Sequence, residues 1–226
     1  MVTAVASGSA PTAGVLALQG GVAEHARVLE GLGARVVLVR REENLVGPDG
    51  PRLDALVLPG GESSTQDRLL RLLDLFEPLR SAIADGLPVL GTCAGLILLA
   101  REVLDPAPGQ GSLELLDVAV RRNAFGAQLV SAEAQFAADA AGVEGLGEGG
   151  AVRGALIRAP EISALGPGAR TVVTHEGHVL GATSIDPDAA VDPGSAAPLG
   201  RVTGISFHPE LSDDPAFHRA LLAQAR

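Results

Sequence analysis

Short apolar runs in this 226-residue chain stop at glycine-rich turns and give way to segments of helical periodicity. Val15-Leu16-Ala17-Leu18 ends at Gln19-Gly20-Gly21. Residues 22–32 then carry Val22, Ala26, Leu29 and Leu32 at helical spacing, with Gly33 placed as a C-cap. Residues 35–39 read as the next strand and residues 53–58 as a third, which stops at Pro59-Gly60-Gly61-Glu62-Ser63-Ser64. A helix from about Thr65 puts Leu69, Leu72, Leu73 and Phe76 on one face, and Pro78 breaks it ahead of a turn carrying Leu79 and Ile83. Residues 88–90 begin the strand that leads into Cys93. This alternation predicts βαβ units, hence an α/β fold with a parallel sheet, helices on both faces and right-handed crossovers. Ligands in such sheets bind beyond the carboxyl ends of the strands, where the Gly60-Gly61 loop and Cys93 both fall.

The second half changes character. Residues 115–120, 126–133, 151–159, 170–174 and 179–183 read as strands, with Glu176-Gly177 as a hairpin tip. Residues 142–150 and 186–200 are long Gly-, Pro- and Ala-rich loops. Residues 1–13 read as a flexible tail without the basic and apolar regions of a signal peptide, leaving 14–226 as one domain.

Composition narrows the function. Hydrophobic residues make up 46% of the chain, enough for one large core without a disulfide or metal staple. With only 2% aromatic residues, that core is expected to be aliphatic. A net charge of -10, with Arg as the only basic residue type apart from histidine, argues against a nucleic-acid partner. The absence of Lys removes Schiff-base chemistry. No run approaches the length of a membrane span, and a lone cysteine suits a reducing cytoplasm, so a cytoplasmic location is expected.

That cysteine lies in Leu90-Gly91-Thr92-Cys93-Ala94-Gly95-Leu96, a strand-to-helix junction with the pattern of a nucleophile elbow. A thiol is a good nucleophile only as its thiolate, which a helix start and a neighbouring imidazole both favour. Taken alone, a small buried cysteine is more often a core residue. Phe207-His208-Pro209-Glu210 follows the apolar run 202–207. Proline holds His208 in an extended conformation, so His208 and Glu210 project to one side and the carboxylate can orient the imidazole. A strand end with two solvated side chains is the alternative. Backbone N–H groups of the Pro59-Gly60-Gly61-Glu62-Ser63 turn suit a developing oxyanion, a phosphate, or no ligand at all. The absence of a Walker lysine discounts a nucleotide.

Taken together, these motifs resemble those of class I, triad-type glutamine amidotransferases, which carry Gly-x-Cys-x-Gly at an elbow and His-x-Glu on a late strand in this order. Within that family the chain is similar to the glutaminase subunits of pyridoxal 5'-phosphate synthase. The similarity lies in Gly14-Val15-Leu16-Ala17-Leu18-Gln19-Gly20, residues 58–64 and 91–96, Arg122-Asn123-Ala124-Phe125-Gly126, Ile157-Arg158-Ala159-Pro160 and residues 207–211. The resemblance implies a three-layer, flavodoxin-like fold and hydrolysis of L-glutamine to glutamate, with ammonia passed to a synthase subunit. No cofactor and no metal is implied. Cys93 would be the nucleophile, His208 the base and Glu210 its orienter, with the N–H groups of Gly61 and Ala94 as the oxyanion hole. The glutamine site would comprise Gly61, Glu62, Ser63, Arg122, Ile157 and Arg158. Arg122 and Arg158 suit a carboxylate clamp through the rigid guanidinium fork, with a surface ion pair as the alternative. Ala124 and Ala127 replace a Ser and an Arg common in the family, and the 186–200 loop and N-terminal tail are longer than usual. A glutaminase of the histidine or purine pathway, or a catalytically silent binding subunit of this fold, are the rival readings. His25, His175 and His178 receive no role, His25 being placed on the first helix toward solvent or a partner.

Overall fold

The computed structural model describes residues 10–47, 50–122, 124, 133–138, 150–185 and 199–225. Strand β1 (Thr12–Leu16) leads through α1 (Val22–Gly31) to β2 (Arg35–Val39). A small antiparallel pair, β3 (Val46–Gly47) and β4 (Gly50–Pro51), precedes β5 (Ala55–Leu58). Helices α2 (Ser63–Leu72) and α3 (Phe76–Ala84) then lead to β6 (Val89–Thr92), and α4 (Ala94–Leu99) follows Cys93. These strands, with β14 (Val202–Ile205), are parallel in the order β2-β1-β5-β6-β14. That order is flavodoxin-like, with its switch point between β1 and β5. Strands β1, β5, β6 and β14 are buried along their whole length, which explains why they carry only apolar residues, glycine and an occasional threonine.

The remaining strands are β7 (Ala100–Val103), β8 (Leu116–Arg121), β9 (Glu133–Ala138), β10 (Ala151–Ala155), β11 (Glu161–Leu165), β12 (Ala169–His175) and β13 (His178–Ser184). They extend the sheet beyond β14, mostly antiparallel, in the order β10-β9-β12-β13-β14, while β11, β8 and β7 branch from β13. Glu176 and Gly177 form the β12–β13 tip, both with positive φ. The predicted strand 126–133 and the loops 142–150 and 186–200 lie largely outside the described residues, as does most of the tail. Strand β1 begins two residues ahead of the expected domain start, where Thr12 and Ala13 pair with Arg35 and Val36 in the sheet.

Two cores flank the sheet. One face packs Leu16, Leu56 and Leu58 against Leu70 of α2, Leu79 and Ile83 of α3 and Leu96 to Leu99 of α4. The other packs Val15, Val57 and Leu90 against Leu29 of α1 and against Phe217 and Leu221 of the last helix, α5 (Ala216–Leu222). The core is not wholly aliphatic as composition implied. Phe207 stacks against Phe136 and Phe217 at centroid distances of 4.6 and 6.0 Å, concentrating the few aromatic rings on one side.

Two expectations for the helices fail instructively. Leu72 and Leu73 are 72% and 47% exposed, whereas α2 buries Ser63, Gln66, Asp67 and Leu70. The inward face is polar because it bonds to loops: Gln66 Nε2 donates to the carbonyls of Gln19 and Pro59, and Asp67 accepts from the Gly111 N–H. The break before α3 comes at Asp74, with φ 52°, and Pro78 sits in the first turn of α3, where its missing N–H costs nothing.

The α4 start depends on close backbone approach. A Cβ on Gly95 would fall on the Leu58 carbonyl oxygen, and one on Gly91 would stand 2.6 Å from the Gly95 carbonyl carbon. Replacing a helical Gly by Ala ordinarily gains up to about 1 kcal/mol. At Gly95 the obstacle is backbone that has no rotamer to yield, so Gly95→Ala is expected to destabilise by about 1–3 kcal/mol. A lowered midpoint of urea unfolding with an unchanged slope is the expected measurement.

Candidate active site

Four loops at the carboxyl ends of parallel strands meet in one cleft of about 520 Å³. They carry Gln19 to Gly21 after β1, Gly60 to Ser63 after β5, Cys93 after β6 and His208 to Leu211 after β14. Arg122, at the end of β8, and Ile157 and Arg158, beyond β10, complete the lining. Every sequence-derived candidate thus borders the cleft except Ala94, which begins α4 immediately behind Cys93. Asn123 and Phe125 to Ala127 lie outside the described residues.

Cys93 is the N-cap of α4 and adopts φ 49°, ψ −100°, a costly conformation for a residue with a Cβ. Its N–H donates to the Ile205 carbonyl at 2.8 Å, which ties the strained residue to β14. The thiol is 7% exposed. Ala94 supplies one of the first N–H groups of the helix, which an α-helix leaves without an internal acceptor.

His208 reaches the cleft from the end of the β14 segment. Its N–H donates to the Ala155 carbonyl at 2.9 Å, and the Ala155 N–H donates back at 3.2 Å, so the backbone is clamped against β10. Pro209 keeps His208 out of the helical region but short of fully extended, at φ −113°, ψ 88°, and then opens a 3₁₀ turn over Pro209–Leu211. That turn, not a continuing strand, swings Glu210 back until Oε1 lies 2.8 Å from His208 Nδ1. Gly60 makes room for the ring, since a Cβ there would coincide with His208 Cε1.

Charge in this cluster follows from burial and partners. Burial pushes the His208 imidazole toward neutrality, but hydrogen bonding and charge from Cys93 and Glu210 outweigh it and hold the ring up to about 10. Burial also pushes the Glu210 carboxyl up. Hydrogen bonds from His208 and His25, with the charge of His208, overcome this and hold it well below the ordinary carboxylate range.

A second polar group forms the opposite wall. Glu62 caps α2, its carboxylate accepting from the N–H groups of Ser64 and Thr65 and from both their hydroxyls, at 2.6 to 3.3 Å. Its Oε1 also accepts from Arg122 Nη2 at 3.1 Å. Arg122 Nη1 donates to Gln110 Oε1 at 2.6 Å, and Gln110 Nε2 donates to Ser63 Oγ at 3.0 Å. The Glu62 N–H donates to Gln19 Oε1. Arg122 is thereby fixed in orientation on the cleft wall. The predicted strand 151–159 stops at Ala155, and Arg158, three residues on, holds a left-handed φ of 46° where the chain lines the cleft.

The model of the SNO glutamine amidotransferase family matches residues 15–225. The chain belongs to that family. Among curated relatives, a pyridoxal 5'-phosphate synthase subunit PdxT of Cutibacterium acnes is 46% identical, over 95% of this chain and 97% of the relative. One of Kineococcus radiotolerans is 49% identical, over 93% and 92% respectively. A crystal structure of a glutamine amidotransferase, 37% identical, superposes with a TM-score of 0.76 over 94% of this chain and 97% of that one. The PurLQS structure from Thermotoga maritima, at 16% identity and a TM-score of 0.61 over 95% and 98%, shares the fold. The three-layer architecture expected for the family is therefore present.

This member of the SNO family also buries groups that the sequence did not flag. His25 is not solvent-facing; it is fully buried, beside His218 and Thr92 and 3.3 Å from Glu210. Its burial was signalled by spacing, since residues 25 and 29 share a helix face. His178 pairs with Glu161 at 2.9 Å and is not part of the cleft lining. Among the described residues no cluster of His, Cys, Asp and Glu has the arrangement of a metal site, and no helix is long and apolar enough to cross a membrane.

Partial burial pushes the Glu62 carboxyl up, but its Ser64 and Thr65 hydrogen bonds prevail and hold it down at about 2 instead of 4.5. A lowered carboxyl contributes stability that is complete above its ordinary value and lost as pH falls through the folded one. Glu62→Gln is therefore expected to be less stable than the parent at neutral pH, with the gap closing between 4.5 and about 2. Urea unfolding of both proteins across that range measures it.

Proposed function

We propose that this chain is the glutaminase subunit of a pyridoxal 5'-phosphate synthase. It hydrolyses L-glutamine to L-glutamate and ammonia and passes the ammonia to a synthase subunit. The observation that carries the reading is Cys93, held at a left-handed φ at the end of β6, with His208 bound to Glu210 in the same cleft. The relatives that bear the synthase-subunit name align over nearly the whole chain, which supports the choice of partner.

In the proposed reaction the Cys93 thiolate attacks the side-chain amide carbon of glutamine. The N–H groups of Gly61 and Ala94 receive the oxyanion, each worth roughly 3 kcal/mol in such a site. Gly61, at φ 158°, orients its peptide with a conformation close to extended. His208, already protonated in the resting pair, gives its proton to the departing ammonia and leaves a thioester. The neutral imidazole then takes a proton from water, which attacks the thioester and releases glutamate. Glu210 holds the imidazole through Nδ1 and so leaves Nε2 for the chemistry.

Substrate binding in this reading falls to Gly61, Glu62, Ser63, Arg122, Ile157 and Arg158. Glu62 already accepts at both carboxylate oxygens, so its part is to hold Arg122 in place. Arg122 and Arg158 would meet the α-carboxylate of glutamine, and Ile157, 37% exposed, would pack on its methylenes.

The test is glutamate release from glutamine, measured with and without a pyridoxal 5'-phosphate synthase subunit. Cys93→Ala is expected to abolish turnover, and the parent is expected to be activated when the synthase subunit is added. Turnover retained by Cys93→Ala would remove the thiol from the mechanism. Indifference to that synthase subunit would remove the proposed partner.

A further inference from the structure

Beneath the cleft lies a buried row of side chains that the proposed reaction does not use. Glu210 Oε1 faces two imidazoles, His208 Nδ1 at 2.8 Å and His25 Nε2 at 3.3 Å. His25 Nε2 also lies 3.1 Å from Thr92 Oγ1, on the residue preceding Cys93. On its far side His25 Nδ1 is 2.8 Å from His218 Nε2. His25, His218 and Thr92 are fully buried and Glu210 is 4% exposed. The row joins α1, β6, the Pro209–Leu211 turn and α5.

The protons in this row are fixed by elimination. An ionised carboxylate can only accept, so each nitrogen facing Oε1 must carry hydrogen. His25 is then protonated on Nε2. If neutral, it presents a bare Nδ1, and His218 Nε2 must donate to it. His218 is left with a bare Nδ1, which has no partner among the described residues. The opposite order would put an N–H in that place, buried without an acceptor, and a full positive charge on His25. Burial pushes the His218 ring down to about 3 against the pull of Glu210, so His218 stays neutral.

We infer that His25 is a positioning residue for catalysis: its Nε2–H is the second donor to the Glu210 carboxylate, and His218 locks it in that tautomer. The inference rests on the reading of Cys93, His208 and Glu210 as the reacting group and its orienter. With a single donor, Glu210 is free to rotate about its terminal torsion and to draw the His208 ring out of line with the thiol. With two donors from different elements converging on Oε1, that oxygen is held between the rings while Oε2 has no partner among the described residues, and Thr92 links the same His25 nitrogen to the strand that carries Cys93. Of the other charged groups nearby, Glu24 of α1 approaches most directly: a Cβ on Gly21 would stand 3.6 Å from both its carboxylate and that of Glu210. Loss of the His25 donor therefore leaves His208 alone to offset the Glu24 charge and favours protonation of Glu210.

The experiment compares the parent with His25→Phe, which keeps the bulk, and His25→Gln, whose side-chain amide can replace the Nε2–H donor. Glutaminase kinetics are read in the complex with a pyridoxal 5'-phosphate synthase subunit across a pH series. In His25→Phe, kcat is expected to fall by about tenfold to a hundredfold, with KM changed far less, since the reacting groups themselves remain. The acid limb of the kcat profile is expected to move to higher pH, and His25→Gln to return it toward the parent. An acid limb in His25→Phe that coincides with the parent's overturns the inference, whatever happens to kcat, because a packing defect alone would leave it in place. Should His25→Phe not fold, long-range nitrogen–proton spectra of the labelled parent decide. Nε2–H tautomers at both His25 and His218 at neutral pH are expected, and an Nδ1–H tautomer at His25 overturns the inference. Turnover by Cys93→Ala in the same assay would instead overturn the reading on which it rests.

Discussion

The organisation of the site depends on one close approach of backbone to backbone. Where α4 starts, Gly91, Gly95 and the Leu58 carbonyl are in van der Waals contact, with no room for a side chain. That contact lets β6 end in a sharp turn, which puts Cys93 in its left-handed conformation and aims the following helix back across the sheet. Cys93 cannot relax, because its N–H is bonded to β14 and α4 is buried at every residue. The strain at one residue is thus held by the packing of the first core, in which Leu96, Leu98 and Leu99 are wholly buried.

From that fixed point the rest of the cleft is assembled by the parallel order of the strands. The order β2-β1-β5-β6-β14 places the loops after β1 and β5 side by side, and the Gly21 N–H bonds the Gly60 carbonyl across the switch point. The antiparallel half of the sheet contributes differently. Its β10 strand clamps His208 through Ala155 and then delivers Ile157 and Arg158 to the cleft. One half supplies a rigid floor, and the other sets the depth at which the imidazole stands.

The parts of this arrangement that were legible in the sequence are those written in unbroken apolar runs and glycine turns. Strands β1, β2, β5 and β6, and the loops that end them, follow from that pattern because these strands, apart from edge strand β2, are covered on both faces. The face of α2 was not legible, because Gln66 and Asp67 point inward to bond loop carbonyls and N–H groups while Leu72 faces out. Periodicity weighs hydrophobicity and has no means of recognising a buried amide that is satisfied. Strands β7 and β11 were missed for a related reason: each is short and carries exposed charged or polar residues. His25 and His218 sit at apolar helical positions, yet their association depends on α1 and α5 meeting, and the two residues are 193 apart.

That separation has a bearing on how the protein comes into being. Chains emerge from synthesis amino-terminus first, and domains generally fold as units in that order. Here Cys93 and its elbow are made before His208, Glu210 and His218, which follow more than a hundred residues later, and α5 then packs into the second core. A nascent chain that has made only the β1–β6 half of the sheet holds His25 near the elbow but lacks His208. Cys93, His208 and Glu210 share one cleft only once residues 208–210 and α5 are in place, so the thiol stands apart from that imidazole while the elbow alone is folded.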